Sequence, residues 1–173
     1  MKPAVRSPRP GDEEAVLAVV LAAFTSPGRP GDEEVAIVRG SWAAGPAEER
    51  IELVAEVDGE VVGHLIAATG RLDGTATTVA GVAPVCVAPG HQGRGIGSAL
   101  MWELVHRAGD RRWPLLVVLG EPAYYGRFGF EPASRLNIVY APAGPDSPHF
   151  QARRLDGYDA RLRGTFAYCW EPE

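Results

Sequence analysis

Apolar residues recur along this chain with two different periods, and the switches between them outline its elements. The run EEAVLAVVLAAF places Val16, Val19, Val20, Ala23 and Phe24 at helical spacing, and Asp12 stands where an N-cap is needed. A second helix is predicted from Asp32 to about Ala43, with Val35, Val38 and Trp42 on one side. Pro27 to Gly31 separates the two, and Gly45-Pro46 closes the second. The period then drops to two. Ile51, Leu53, Ala55 and Val57 alternate with Glu52, Val54 and Glu56, and a more evenly apolar run, Val61 to Thr69, follows the tight turn signal Asp58-Gly59. Upstream, Ala4-Val5-Arg6 has room for one short strand.

Arg71 to Thr77 reads as a polar loop, and Val79 to Val87 as a further apolar strand closed by Pro89-Gly90. From Gly97 to Ala108 the pattern is helical again, through Leu100, Met101, Leu104, Val105 and Ala108, with Gly109 placed as a C-cap. Leu115 to Leu119 is a short, wholly apolar strand of the kind found at a sheet centre. EPAYYGRFGFEPA has room for one helical turn at most, because Gly126 and Gly129 interrupt it. The Pro-rich C-terminal third holds strand candidates at Leu136 to Tyr140, Ala152 to Leu155 and Thr165 to Trp170. This succession describes a mixed α/β domain. Its core is a βαβ unit, Val82–Val87, Gly97–Ala108 and Leu115–Leu119, with a right-handed crossover expected.

Composition narrows the class. A chain of 173 residues is expected to form a single domain over 1–173, and 46% apolar with 23% charged residues suits a soluble globular protein. The net charge of 17 − 22 = −5 supplies no field that would draw nucleic acid or a membrane, so neither is expected as a partner. The two cysteines are too few for a disulfide scaffold, and Cys86 lies in an apolar run as a small buried hydrophobe. No apolar run approaches the roughly 20 residues of a membrane span, and MKPAVRSPRPGDEE lacks a signal core. A cytoplasmic protein is the expectation.

Between the strand ending at Val87 and the helix beginning near Gly97 stands HQGRGIGSAL, His91 to Leu100. A loop tip explains its glycines but not the helical pattern behind them; a phosphate cradle explains both. Backbone N–H groups at a helix N-terminus lack internal partners, the helix dipole adds positive charge there, and glycine lets the backbone close on an anion. A nucleotide triphosphatase loop needs a lysine before its Ser or Thr, and Gly97-Ser98 has none. A dinucleotide fold needs G-x-G-x-x-G, whereas Gly93, Gly95 and Gly97 read G-x-G-x-G, with only Asp110 near the place of the expected acid. The pattern Q/R-x-x-G-x-G/A, which binds the pyrophosphate of coenzyme A, fits Gln92-Gly93-Arg94-Gly95-Ile96-Gly97 at every fixed position.

VCVAPGHQGRGIGSAL resembles the strand, pyrophosphate loop and helix of the GNAT N-acetyltransferase superfamily, and YYGRFGF, Tyr124 to Phe130, resembles that family's later Y-x-x-x-G-F motif. The wording VVLGEPAYYGRFGFEPA is similar to the YhbS-like branch. The resemblance implies a mixed, mostly antiparallel central sheet with a splayed parallel strand pair and flanking helices. It implies that Val85, Cys86 and Val87 bond the pantetheine arm as an added strand would. Gln92, Gly93, Arg94, Gly95, Ile96, Gly97 and Ser98 then form the pyrophosphate loop, with backbone N–H groups from Gly93 to Ser98 as donors and Arg94 either on phosphate or in solvent. Tyr124 and Phe128 are expected beside the cofactor, Phe128 and Phe130 also as packing residues. Tyr125 occupies the position whose phenol protonates the departing thiolate, as general acid; Tyr124 is the alternative.

A general base is less marked. The strand before the loop carries no carboxylate, which leaves Glu52 and Glu56 on one hairpin strand, His64 on the other, or a water relay. Arg111-Arg112 and Arg153-Arg154 read as solvated faces, and His91, His106 and His149 lack metal-ligand spacing, so no metal is expected. The expected function is acetyl-CoA-dependent transfer of an acetyl group to a primary amine, a small-molecule or peptide acceptor, by direct attack. The rival expectations are a non-catalytic acyl-CoA-binding sensor or regulatory module of the same fold, and a Rossmann-type nucleotide binder. A homodimer is an expectation by analogy alone.

Overall fold

The computed structural model describes residues 2–73 and 79–172. Its strands are β1 (Ala4–Arg6), β2 (Arg50–Val57), β3 (Glu60–Thr69), β4 (Arg71–Leu72), β5 (Ala80–Val87), β6 (Leu115–Leu119), β7 (Glu131–Pro132), β8 (Ile138–Val139), β9 (Phe150–Arg154) and β10 (Gly164–Ala167). The α-helices are α1 (Glu13–Phe24), α2 (Asp32–Ala43), α3 (Ile96–Asp110) and α4 (Pro122–Tyr125). Strand order is β1-β2-β3-β5-β6-β9-β7 in the main sheet and β4-β10-β8 in a small one. Pairing is antiparallel at β1–β2, β6–β9 and β7–β9, and parallel at β5–β6. This is the mixed, mostly antiparallel sheet with one parallel pair that the motifs implied.

The chain divides into two compact units, one made of residues up to Ala67 with Ala83–Val105, the other of Ala68–Val82 with the chain from His106 onward. In the first, the buried face of α1 (Val16, Val19, Val20) and Val38 of α2 pack with Val54, Ile66 and Cys86 of β2, β3 and β5. Asp12 stands at the N-cap of α1 as expected, and its carbonyl accepts from Val16 N at 2.8 Å, but its side chain does not cap. Its carboxylate instead accepts from the Arg9 amide at 2.7 Å and from Arg6 Nη1 at 2.6 Å. Asp58 and Gly59 both take left-handed φ angles, 53° and 84°, which is the backbone a two-residue hairpin turn demands. Helix α3 lies close over Gly63 of β3: a Cβ there would come within 3.1 Å of Ile96 Cγ2 and 3.2 Å of Leu100 Cδ1.

In the second unit the parallel pair β5–β6 runs from Ala80↔Leu116 to Val82↔Val118. The pairing stops there although β5 continues to Val87, and Pro84 has no N–H to extend a ladder. Gly109 is not the cap of α3. The helix runs to Asp110, Arg112 takes the left-handed turn at φ 55°, and Trp113 N donates back to Ala108 O at 3.0 Å. Arg71 and Leu72, expected in a loop, form β4, because Leu72 is buried and its backbone pairs with Phe166 of β10; residues 74–77 of that loop lie outside the described residues. Of the C-terminal strands, β9 starts two residues before the expected Ala152, while β8 and β10 are shorter than their apolar runs. Leu136 ends a 3₁₀ turn and Asn137 is left-handed, so only Ile138–Val139 remain extended. Tyr140, Phe150, Phe166, Tyr168 and Trp170 pack against one another, some stacked and some edge-on, at centroid separations of 4.4–6.1 Å. Gly81 lets Tyr168 lie flat on β5, since a Cβ there would come 2.4 Å from its ring.

Candidate functional site

In the first unit the chain leaves β5 at Val87, makes one 3₁₀ turn at Pro89–His91 and enters α3 at Ile96. Gly93 (φ 73°) and Gly95 (φ 78°) are both left-handed, and a Cβ on either would meet nothing within 4 Å. These glycines are therefore not required by packing; they bend the backbone under an open surface. Helix dipole and unpaired N–H groups converge where they bend. Gln92 and Arg94 are exposed, while Gly97 and Ser98 are partly buried in the first turn. The Gln92 side chain donates from Nε2 to Val87 O at 3.0 Å and so fastens the loop to the end of β5. Ile96 is buried, turned toward Gly63, and offers the loop its backbone alone. Val85 and Val87 are half-buried and alternate with buried Cys86. Burial pushes the Cys86 thiol up to about 12, partly offset by a hydrogen bond from the His64 backbone, so this cysteine remains a neutral packing residue.

The three candidate bases have different surroundings. Glu56 accepts from Arg6 Nε at 2.9 Å, and Arg6 also holds Asp12, so its carboxylate serves a surface ion network. His64 is wholly buried, and its Nε2 lies 2.8 Å from Glu52 Oε1. The same oxygen accepts from Trp42 Nε1 at 2.9 Å. Both Glu52 and His64 stood among the candidates read from the chain; that they form one pair, tied to Trp42 of α2, was not legible there.

The second unit holds the YYGRFGF segment. Glu121 caps α4 and Gly129 (φ 82°) ends the 3₁₀ turn behind it. Tyr125 packs edge-on against Tyr124 at 4.9 Å and against Phe130 at 5.9 Å. Burial, with a smaller contribution from Tyr124, raises the Tyr125 phenol well above its ordinary value, so it carries its proton at neutral pH. Burial also raises Tyr124, offset by Arg127, whose guanidinium lies 4.7 Å from the ring centroid. Phe128 is buried against Tyr124 at 5.4 Å as a packing residue. Gly120, unmarked in the sequence, turns out to be a contact point, since a Cβ there would come 2.4 Å from Tyr125 Cε2. Of the Arg153-Arg154 face, Arg153 departs from the solvated reading, since its Nε donates to Phe128 O at 2.6 Å, while Arg154 is exposed and pairs with Glu131 at 3.0 Å. Among the described residues no three His, Cys, Asp or Glu side chains gather into a group fit to hold a metal ion, and no helix is long and apolar enough to cross a membrane.

A model of the acetyltransferase (GNAT) domain matches residues 4–133. The chain belongs to the GNAT acetyltransferase family. Among curated relatives, the uncharacterized N-acetyltransferase YhbS of Escherichia coli K12 is 33% identical over 98 residues, 57% of this chain and 58% of that protein. The mycothiol acetyltransferase of Geodermatophilus obscurus is 32% identical over 169 residues, 93% of this chain and 52% of that protein. The chain thus spans a little over half the length of these curated relatives. Among solved structures, E. coli YhbS in complex with CoA superposes with a TM-score of 0.83 at 26% identity, covering 97% of this chain and 90% of that one. A GNAT family acetyltransferase of Brucella melitensis in complex with acetyl-CoA superposes with a TM-score of 0.79 at 28% identity, covering 98% and 99%.

Proposed function

We propose that residues 1–173 act as one acyltransferase domain that moves the acetyl group of acetyl-CoA onto a primary amine of a small molecule or peptide. The observation that carries the reading is the loop before α3, where Gly93 and Gly95 bend a bare, open backbone at a helix N-terminus. Family membership and the two relatives crystallised with CoA and acetyl-CoA support it. Backbone N–H groups from Gly93 to Ser98 hold the pyrophosphate, Arg94 adds a charge-assisted contact, and Val85 to Val87 bond the pantetheine arm.

The amine nitrogen attacks the thioester carbonyl carbon directly. The backbone N–H near Val87 polarises that carbonyl and stabilises the oxyanion. His64 takes the proton the amine must lose. As the C–S bond breaks, Tyr125 gives its proton to the sulfur, a role suited to a phenol that stays protonated at neutral pH. Positioning supplies much of the rate. That both sets of residues act on one acetyl-CoA rests on the family. An acetyl-CoA-dependent enzyme works where its donor is kept, so the reading carries a cytoplasmic location with it.

The test is calorimetry with CoA, followed by acetyl-CoA with a panel of primary amines and a colorimetric readout of released thiol. Saturable CoA binding and amine-dependent thiol release are expected. Binding without release to any amine would make the protein a sensor; absence of CoA binding would refute the reading of the loop.

A further inference from the structure

We propose that Glu52 is a positioning residue that holds His64 in one tautomer, so that its Nδ1 lone pair is the proton acceptor for the incoming amine. The inference deepens the transferase reading and rests on it. The His64 side chain is completely buried, yet its Nδ1 has no hydrogen-bond partner among the described residues. Buried polar atoms are nearly always paired, because leaving one unpaired forfeits its hydration without return. An exception of this kind, in a ring whose other nitrogen is tightly held, calls for a role.

The geometry defines which nitrogen carries hydrogen. Nε2 lies 2.8 Å from Glu52 Oε1. Two lone pairs at that distance would repel, so Nε2 is the donor and the carboxylate the acceptor. In the neutral ring Nδ1 is therefore bare. Trp42 Nε1 donates to the same oxygen at 2.9 Å, which prevents the carboxylate from turning away. Arg50 Nε of β2 lies 3.9 Å from Glu52 Oε2, and Cys86 of β5 takes a hydrogen bond from the His64 backbone. Cys86 is the middle residue of the strand end assigned to the pantetheine arm, so the His64 backbone lies beside the segment that would carry the thioester.

The step balances simply. As the amine nitrogen bonds to the thioester carbon, its surplus proton passes to Nδ1 through a water relay, since the fully buried ring does not itself meet the amine. The ring becomes an imidazolium whose charge is met by the Glu52 carboxylate through Nε2–H. Without that carboxylate the hydrogen redistributes between the two nitrogens, and the buried cation loses its counter-charge.

The test uses the intact protein. Nitrogen-15 NMR of histidine-labelled wild type should show His64 with Nε2 protonated and Nδ1 bare, and Glu52→Gln should mix the tautomers. With an amine that wild type acetylates, His64→Gln should lower kcat by about 10²-fold or more. Glu52→Gln should lower kcat by about tenfold and reshape the acid limb of its pH profile, with KM for acetyl-CoA unchanged. A wild-type His64 protonated on Nδ1 overturns the proposal, even if no variant folds. So do His64→Gln and Glu52→Gln proteins that melt and turn over like wild type. A wild type that binds CoA but acetylates no amine instead refutes the transferase reading, and this inference with it.

Discussion

Replacing Gly120 with alanine tests the acid assignment without touching the phenol. The added Cβ would lie 2.4 Å from Tyr125 Cε2, 3.1 Å from Cδ2 and 3.4 Å from Cζ. Carbon atoms prefer separations of about 3.5–4.0 Å, so ring or backbone must yield by roughly 1 Å. The backbone is tied on both sides: Gly120 N donates to His149 O at 2.9 Å, and Gly120 O accepts from Gln151 Nε2 at 3.1 Å. The ring is the part free to move, and Tyr124 and Phe130 restrict where it goes. Overpacking of this kind costs about 1–3 kcal/mol. For a chain of this length each kcal/mol lowers Tm by about 2–4 °C. A displacement of about 1 Å in an acid that must reach the leaving sulfur can cost up to roughly 10²-fold in kcat.

The assay is thiol release in a double-mutant cycle with Tyr125→Phe, alongside thermal melting and CoA calorimetry. If Gly120→Ala acts through the Tyr125 hydroxyl, it lowers kcat in the wild-type background and adds little to Tyr125→Phe, while CoA affinity holds in all four proteins. A Gly120→Ala protein with lowered Tm and unchanged kcat would refute the reasoning. Equal losses in both backgrounds would do the same.

Three further outcomes are expected. Burial raises Tyr125, Tyr140 and Tyr168 above the ordinary phenol value, so the folded state retains protons that the unfolded chain loses; stability should be full below about pH 10 and fall above it, and denaturation midpoints rising past that pH would contradict this. Gly93→Ala and Gly95→Ala meet no steric obstacle, so each should cost about 1–2 kcal/mol through its left-handed backbone, with CoA binding weakened about tenfold; unchanged calorimetry would separate these glycines from the ligand. The Arg6 guanidinium holds the Asp12 carboxyl below its usual range. Its contribution is present above about pH 4 and lost as pH falls further, so Asp12→Asn should cost about 0.5–1 kcal/mol at neutral pH and flatten the acid limb of stability.

Local pattern was enough to read most elements. α1 and α2 follow the spacing of valines in EEAVLAVVLAAF and DEEVAIVRGSWA, and both hairpin strands follow from Asp58-Gly59, because periodicity and turn chemistry are properties of neighbouring residues. The misreadings share a cause. Leu72 became strand and Leu136 did not, since backbone pairing depends on a partner elsewhere in the chain: Phe166 meets Leu72, while Asn137 turns left-handed beside Leu136. Asp12 keeps the N-cap position, but its side chain turns to Arg6, a partner the helix pattern does not show.

The glycine turn proposed to hold the donor was legible because it lies in contiguous backbone. Gly93, Gly95 and the start of α3 are neighbours in sequence, and their left-handed turns need glycine whatever surrounds them. The remainder could not be read that way. Trp42, Glu52 and His64 come from a helix and two strands, and Gly120 meets Tyr125 across a turn. By itself, the sequence determined the family and marked the glycine turn before α3 and the tyrosine pair of α4, for which the pyrophosphate and acid roles are proposed. Only the tertiary structure decided which carboxylate holds the buried histidine and which glycine makes room for the tyrosine, because hydrogen bonds and van der Waals contacts act over a few ångströms of space, whatever the distance along the chain.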